Sequence, residues 1–355
     1  MKTMFIQMSN ECYDGGNAAN AWVYVKNLQT QTNITFDHVI LKREAIRADA
    51  PVSRLGISNR LWTDASVWET KVSGGSVATI NHDTLFEAFL NSNWGLLPAY
   101  HDDNDYLFSV IDHNSAHHIS YLLACWAFKK RGRKDAVKIV INFDQHEDYG
   151  YKTPKTKINC GAWGCYIING PPAGSRFRRP GFKVGNYVSV GNGKKVGGIM
   201  GRQGEHVGRH TCASGKFYTN IYKAGAKGDH SPSAVVIADK NNLLKKLGTK
   251  MGHGLIPWDI YVSVDRDCIQ GNDTPYGHGV HKPEEVRHAV YNLLRDMRNT
   301  RSQLVGFDVI GLPHHTSTNK AIAYKDISQL YNIALQYTNP TWNTTYDPNS
   351  ATAGF

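Results

Sequence analysis

Stretches of β-branched and aliphatic residues alternate along this chain with stretches whose apolar positions recur every three to four residues, and two of the β-like runs end abruptly in carboxylates. Residues 138–143, KIVINF, read as a buried strand that breaks into Asp144, His146 and Asp148. Residues 258–264, WDIYVSV, read as a second such strand, ending in Asp265 and Asp267, with Ser263 two positions ahead. A third run, residues 106–112, YLFSVID, is followed at once by His113. Side chains two and four apart on a strand share a face, so the spacing predicts that Asp144, His146 and Asp148 converge.

Around these runs the pattern predicts strands over 3–8, 234–238 and 303–310. Helices are predicted over 18–28, 84–90, 115–130, 241–250, 282–299 and 326–337. The helix over 115–130 buries Ile119, Leu122, Leu123, Trp126 and Phe128, and places His117 and His118 in its first turn, as capping or solvent-exposed residues in preference to the alternative that one of them supports a site at the strand ends. That over 282–299 opens with Pro283, Glu284 and Glu285, which suit a helix N-terminus. Residues 31–82 carry no recognisable chemistry. Such alternation predicts a mostly parallel sheet covered on both faces, a three-layer α/β/α architecture. Ligands gather beyond the carboxyl ends of such strands, so Glu11 and Asp14, just after the first strand, are candidates to meet a cationic substrate.

A chain of 355 residues that is 41% hydrophobic supports one large domain, expected over residues 1–340 with a flexible tail at 341–355. Residues 150–230 read as a Gly-rich insertion, with a hairpin around Gly191-Asn192-Gly193 and with Arg176, Arg178 and Arg179 available to an acidic peptide. A net charge of +10 is compatible with an acidic partner, and equally with a basic surface that serves mainly solubility. Nucleic acid is not that partner, because no helix-turn-helix, zinc-finger or RNP-type pattern accompanies the charge. The six cysteines lack metal-site spacing and read as free thiols. No apolar run reaches the roughly 20 residues of a membrane span and no leader is seen, so a cytoplasmic protein is expected.

Four aspartates brought together at strand ends repel one another, and cations relieve that. Oxygen-rich ligation with imidazole and without thiolate suits Mn²⁺ or a similar hard divalent ion, and two ions balance four carboxylates.

In their order, a strand-end His, then Asp-x-His-x-Asp, then Ser-x-Asp-x-Asp, these motifs resemble the binuclear manganese centre of the ureohydrolase family, the arginases and agmatinases. The DHNSAHH context and the Gly-rich middle resemble most the peptide arginases, which convert arginine to ornithine within ribosomally made precursor peptides. The resemblance implies two Mn²⁺ per chain. One would be held by His113, Asp144, Asp148 and Asp265, the other by Asp144, His146, Asp265 and Asp267, with Asp148 and His146 catalytic. It also implies nucleophilic attack by a metal-activated water on a guanidinium carbon, releasing urea.

Departures from the free-arginine enzymes bear on the substrate. The family's proton-shuttle histidine falls on Gly161, and His278, His281, His314 and His315 are open alternatives. Positions that hold the amino acid's α-groups fall on Gly150 and Lys157. The guanidinium-binding glutamate falls on Gly311, leaving Glu11, Asp14 or Glu147 as substitutes. An arginine-containing precursor peptide is the expected partner. The other readings are a ureohydrolase acting on a small guanidino compound, a single-zinc deacetylase and a non-catalytic peptide-binding protein of the same fold.

Overall fold

A computed structural model describes residues 1–8, 27–41, 70–72, 75–77, 79–81, 107–111, 117–149, 157–170, 184–191, 216–223, 233–251, 257–271, 279, 281–312, 320–338 and 347–348. Its strands are β1 (Lys2–Met8), β2 (Asp37–Leu41), β3 (Thr70–Val72), β4 (Gly75–Val77), β5 (Thr79–Asn81), β6 (Leu107–Ile111), β7 (Val137–Phe143), β8 (Lys157–Asn159), β9 (Val184–Val190), β10 (Lys216–Lys223), β11 (Ala234–Asp239), β12 (Trp258–Asp265) and β13 (Gln303–Ile310). Its helices include α1 (His118–Arg131), α2 (Trp163–Asn169), α3 (Leu243–Met251), α4 (Pro283–Arg298) and α5 (Lys320–Thr338), and residues 27–32 are helical as well.

Nine strands form one sheet in the order β11-β10-β9-β7-β12-β13-β6-β1-β2. All neighbours from β9 to β2 pair parallel, and β10 alone runs against both of its neighbours. β7 and β12 are buried on both faces, which is why they read as near-continuous apolar runs. Val140 and Tyr261 pack with α1 and α2 in one core, whereas Ile139, Ile141, Val262 and Val264 pack with α3, α4 and α5 in the other. The expected three-layer α/β/α architecture is observed.

Local chemistry sets several boundaries. Pro283 opens α4, and the Glu285 carboxylate accepts a hydrogen bond from the Lys282 N–H at 3.1 Å. α1 is buried continuously from His118 to Phe128 and closes on Lys129, Lys130 and Arg131, which complement the negative end of its dipole. α5 begins at Lys320, six residues earlier than the periodicity predicts. β9 does turn back antiparallel, but its partner is β10, across residues 191–215. Both strands belong to the central sheet, so much of the described part of the Gly-rich stretch is framework. The predicted helix at 84–90 and most of that at 18–28 lie outside the described residues. Among the described residues, no helix is long and apolar enough to cross a membrane.

Candidate metal centre

β7 and β12 are neighbours in register, Asn142 opposite Ser263 and Phe143 opposite Val264. The residues that leave their carboxyl ends, Asp144 and Asp265, therefore emerge side by side. On the other flank, the Asp144 N–H donates to Val190 O of β9 at 2.9 Å and anchors the exit of β7.

Strand alternation does not carry the Asp-x-His-x-Asp segment. β7 ends at Phe143, and the chain then bends sharply, with the His146 N–H donating to Asp144 Oδ1 at 2.6 Å and Asp148 adopting a left-handed φ of 52°. That conformation, uncommon for a residue with a Cβ, turns the Asp148 carboxylate into the pocket. The Trp163 indole of α2 then holds it, donating to Asp148 Oδ2 at 2.9 Å. After β12 a single 3-10 turn, Arg266–Cys268, does the same for Asp267, whose N–H donates to Asp265 Oδ1 at 2.9 Å. The Gln145 N–H donates to Asp267 Oδ1 at 3.1 Å and ties the two exits together.

The histidine that meets these carboxylates is His117. Its Nδ1 lies 2.7 Å from Asp148 Oδ2 and 3.3 Å from both Asp144 Oδ2 and Asp265 Oδ2. This corrects the expectation that His117 caps a helix or faces solvent: it is only 1% exposed, makes no side-chain cap, and its ring packs against Trp163 with centroids 5.0 Å apart. His113, the sequence candidate for this role, lies outside the described residues; among those described, His117 is the histidine that meets the Asp144, Asp148 and Asp265 carboxylates. The sequence signal for His117 was its position immediately ahead of α1, whose N-terminus lies over the end of β12. A second cluster shares Asp144. His146 Nδ1 lies 2.7 Å from Asp267 Oδ2 and 3.5 Å from Asp144 Oδ1. His146 is 32% exposed and forms the open side of an otherwise buried site.

The electrostatics of the bare cluster are those of too many carboxylates in too little water. Burial, reinforced by the Asp144 charge, pushes Asp148 up to about 7, and burial with the neighbouring Asp267 charge does the same for Asp265. Burial and then Asp144 raise Asp267 to about 6. For Asp144 burial acts upward too, but hydrogen bonds from His117 and His146 outweigh it and hold this carboxyl well below its ordinary range. Burial lowers His117, while the Asp148 charge and hydrogen bonds to the three aspartates raise it well above the usual imidazole value.

The donor atoms fit divalent ions. His117, Asp144 and Asp148 bring one ligand atom each within 4.8 Å of one another, and so do Asp144, His146 and Asp267. Carboxylate oxygens with imidazole nitrogen and no thiolate favour hard cations. Among the described residues neither cluster includes a cysteine.

Of the substrate candidates, Glu11, Asp14, His278, His314 and His315 lie outside the described residues. Glu147 is half-buried, accepts a hydrogen bond from the Tyr222 hydroxyl at 2.5 Å, and is raised by burial. His281 is engaged elsewhere: its Nε2 lies 3.1 Å from Gly191 O and its ring packs on Phe217. Gly311 offers only backbone, its carbonyl accepting from Arg266 at 2.9 Å. The sequence reading overlooked Trp163, Asn142 and Tyr187. Asn142 Nδ2 donates to Asp144 Oδ2 at 2.9 Å and to the Tyr187 hydroxyl at 2.8 Å.

No protein-family model matches the chain, and no curated protein matches its sequence. Solved structures do. The arginase of Helicobacter pylori aligns with a TM-score of 0.52 at 11% identity, covering 96% of this chain and all of that one. An Entamoeba histolytica arginase in complex with L-ornithine aligns with a TM-score of 0.49 at 12% identity, over 93% and 98% of the two chains. The Bacillus subtilis arginase gives 0.48 at 12%, over 94% and 98%. At such identities the likeness is one of fold: this chain has an arginase-like α/β fold.

Proposed function

We propose that the chain is a manganese-dependent ureohydrolase that removes urea from arginine side chains within a peptide and leaves ornithine residues. The observation that carries this reading is the pair of donor clusters sharing Asp144 at the carboxyl ends of β7 and β12, on an arginase-like fold. His117, Asp144, Asp148 and Asp265 would hold one ion, and Asp144, His146, Asp265 and Asp267 the other. Two divalent cations there would supply Lewis acidity and bring the pKa of water toward neutrality.

The chain's own groups do the rest. Asp148, pinned by the Trp163 indole, orients the attacking water and passes its proton to the leaving nitrogen. Asn142 fixes the shared Asp144 carboxylate. His146 stands on the solvent side, where substrate enters. A guanidinium needs a carboxylate to orient it, and with Gly311 at the family position Glu147 supports that role, its acid group held by Tyr222.

The substrate preference rests on what is missing. An arginine inside a chain has no free α-carboxylate to hold, and Gly150 and Lys157 stand where the free-amino-acid enzymes hold it. The net charge of +10 would draw an acidic precursor peptide. A single-zinc deacetylase shares the Asp-x-His core of Asp144 and His146 but typically lacks ligands at the positions of His113 and Asp267, so the presence of Asp267 beside His146 speaks against it.

Incubation with Mn²⁺ and either free arginine or an arginine-containing peptide, followed by urea assay and peptide mass, tests both parts. Loss of 42 mass units, about one cyanamide equivalent, per converted arginine is expected in the peptide by the stoichiometry of urea release with water uptake. Urea from free arginine alone would refute the peptide preference, and no urea from any guanidino compound would refute the enzyme.

A further inference from the structure

The serine of Ser-x-Asp-x-Asp is not explained by the two carboxylates that follow it. Ser263 faces Asp308 across the β12–β13 register and donates its hydroxyl hydrogen to Asp308 Oδ1 at 2.6 Å. The same Oγ lies 3.0 Å from His117 Nε2, and the Tyr261 hydroxyl donates to Asp308 Oδ2. All four side chains are buried.

A serine has one hydroxyl hydrogen. With that hydrogen committed to Asp308, Ser263 can only accept from His117, so Nε2 must carry the ring hydrogen. In the neutral ring the lone pair is then on Nδ1, the atom that faces Asp144, Asp148 and Asp265. Ionised, Asp308 is acceptor-only and its two oxygens take hydrogens from Ser263 and Tyr261, which sets the sense of the hydrogen bonds that lead to His117. It differs from the other buried carboxylate that β12 engages. Asp259, at the opposite end of that strand, is neutralised by the Arg133 guanidinium at 2.7 Å, as a structural carboxylate would be. The hydrogen-bond partners of Asp308 are hydroxyls, Ser263, Tyr261 and Ser120, and Ser263 in turn meets an imidazole.

We propose that Asp308 and Tyr261 are positioning residues for His117, setting its tautomer and ring orientation through Ser263 so that Nδ1 is the ligand of the first metal ion. The inference rests on the metal pair proposed above. It assigns a direction to the relay: an amide at 308 whose NH2 faces Ser263 and whose carbonyl oxygen faces Tyr261 donates to the serine, frees the serine hydrogen to turn toward Nε2, and moves the ring hydrogen to Nδ1, where it blocks ligation.

The test is calorimetric titration of metal-stripped protein with Mn²⁺, alongside circular dichroism and urea kinetics. Wild type is expected to take up two ions. In Asp308→Asn and Ser263→Ala one of the two is expected to bind roughly 10 to 100-fold more weakly while the other keeps its affinity. Tyr261→Phe, which leaves the ring volume intact, is expected to weaken the same ion by less, and Ser263→Thr to restore it. The loss should appear in kcat, with KM little changed. Two ions at wild-type affinity in Asp308→Asn, or equal weakening of both, would overturn the relay while leaving the proposed enzyme standing. If Asp308→Asn does not fold, Tyr261→Phe and Ser263→Ala decide by the same criterion. A wild-type chain that binds no pair of ions would overturn the enzyme and the relay together.

Discussion

Replacing Asp148 with asparagine is expected to stabilise the metal-free protein at alkaline pH while impairing the metal-loaded one. Burial and the Asp144 charge raise the Asp148 carboxyl from an ordinary value of 3.8 to about 7. A carboxyl raised in the folded state contributes stability that is complete below 3.8 and is lost as pH climbs through about 7. That gap corresponds to about 4 kcal/mol. Neighbouring carboxyls exchange protons with Asp148, so one substitution should return between about 1 and 4 kcal/mol. Asparagine carries no titrating group, tolerates the left-handed φ of 52° and still accepts from the Trp163 indole. In chelator, the variant and wild type should melt together near pH 4, and the variant should melt roughly 2–8 °C higher near pH 8. Saturating Mn²⁺ should reverse the order, because ligand at about 100 times its Kd adds about 2.7 kcal/mol to the protein that binds it. Thermal melts from pH 4 to 8, with chelator and with Mn²⁺, measure both halves. A variant no more stable than wild type at pH 8 in chelator, or a difference that does not change with pH, would refute the electrostatic account.

Other substitutions probe separate parts of the centre. Asp144→Ala removes the carboxylate common to both clusters and should abolish urea release and deplete both ions, read by metal analysis. Gly164→Ala would place a Cβ about 2.5 Å from the Tyr187 ring; a cost of about 1–3 kcal/mol is expected in denaturant titrations. Metal affinity should fall with it, since Tyr187 partners Asn142. Arg266→Met leaves Asp326 with one of its two buried guanidinium partners and should cost about 3–5 kcal/mol, measured by urea unfolding.

The framework was legible because its strands are buried on both faces and its helices carry marked ends. Gln303–Ile310 matches its predicted bounds, and Pro283 with Glu284 and Glu285 marks the start of α4. The carboxylates of the centre were legible because charge rarely follows so apolar a run without a partner. The approach of Asp148 was not, since it depends on one left-handed residue and on an indole fifteen positions away. The histidine was harder still. DHNSAHH offers His113, His117 and His118 within six residues, and spacing from a strand end says nothing of where the chain goes after leaving the sheet. His117 is selected by its packing on Trp163 and by Ser263, residues distant in sequence. Nor could periodicity show that β9 and β10 belong to the central sheet, because their pairing spans residues 191–215.

Position 117 is separated along the chain from 144, and 144 from 265, by whole strands and helices, so the donor set has no counterpart in an unfolded chain. Ions at the proposed centre would therefore favour the finished native state, and most of their binding energy would pass into resistance to unfolding. On the proposed function, a cell short of the metal would hold this protein in a form that opens more often and is degraded sooner, so that the supply of one nutrient would set how long each copy lasts.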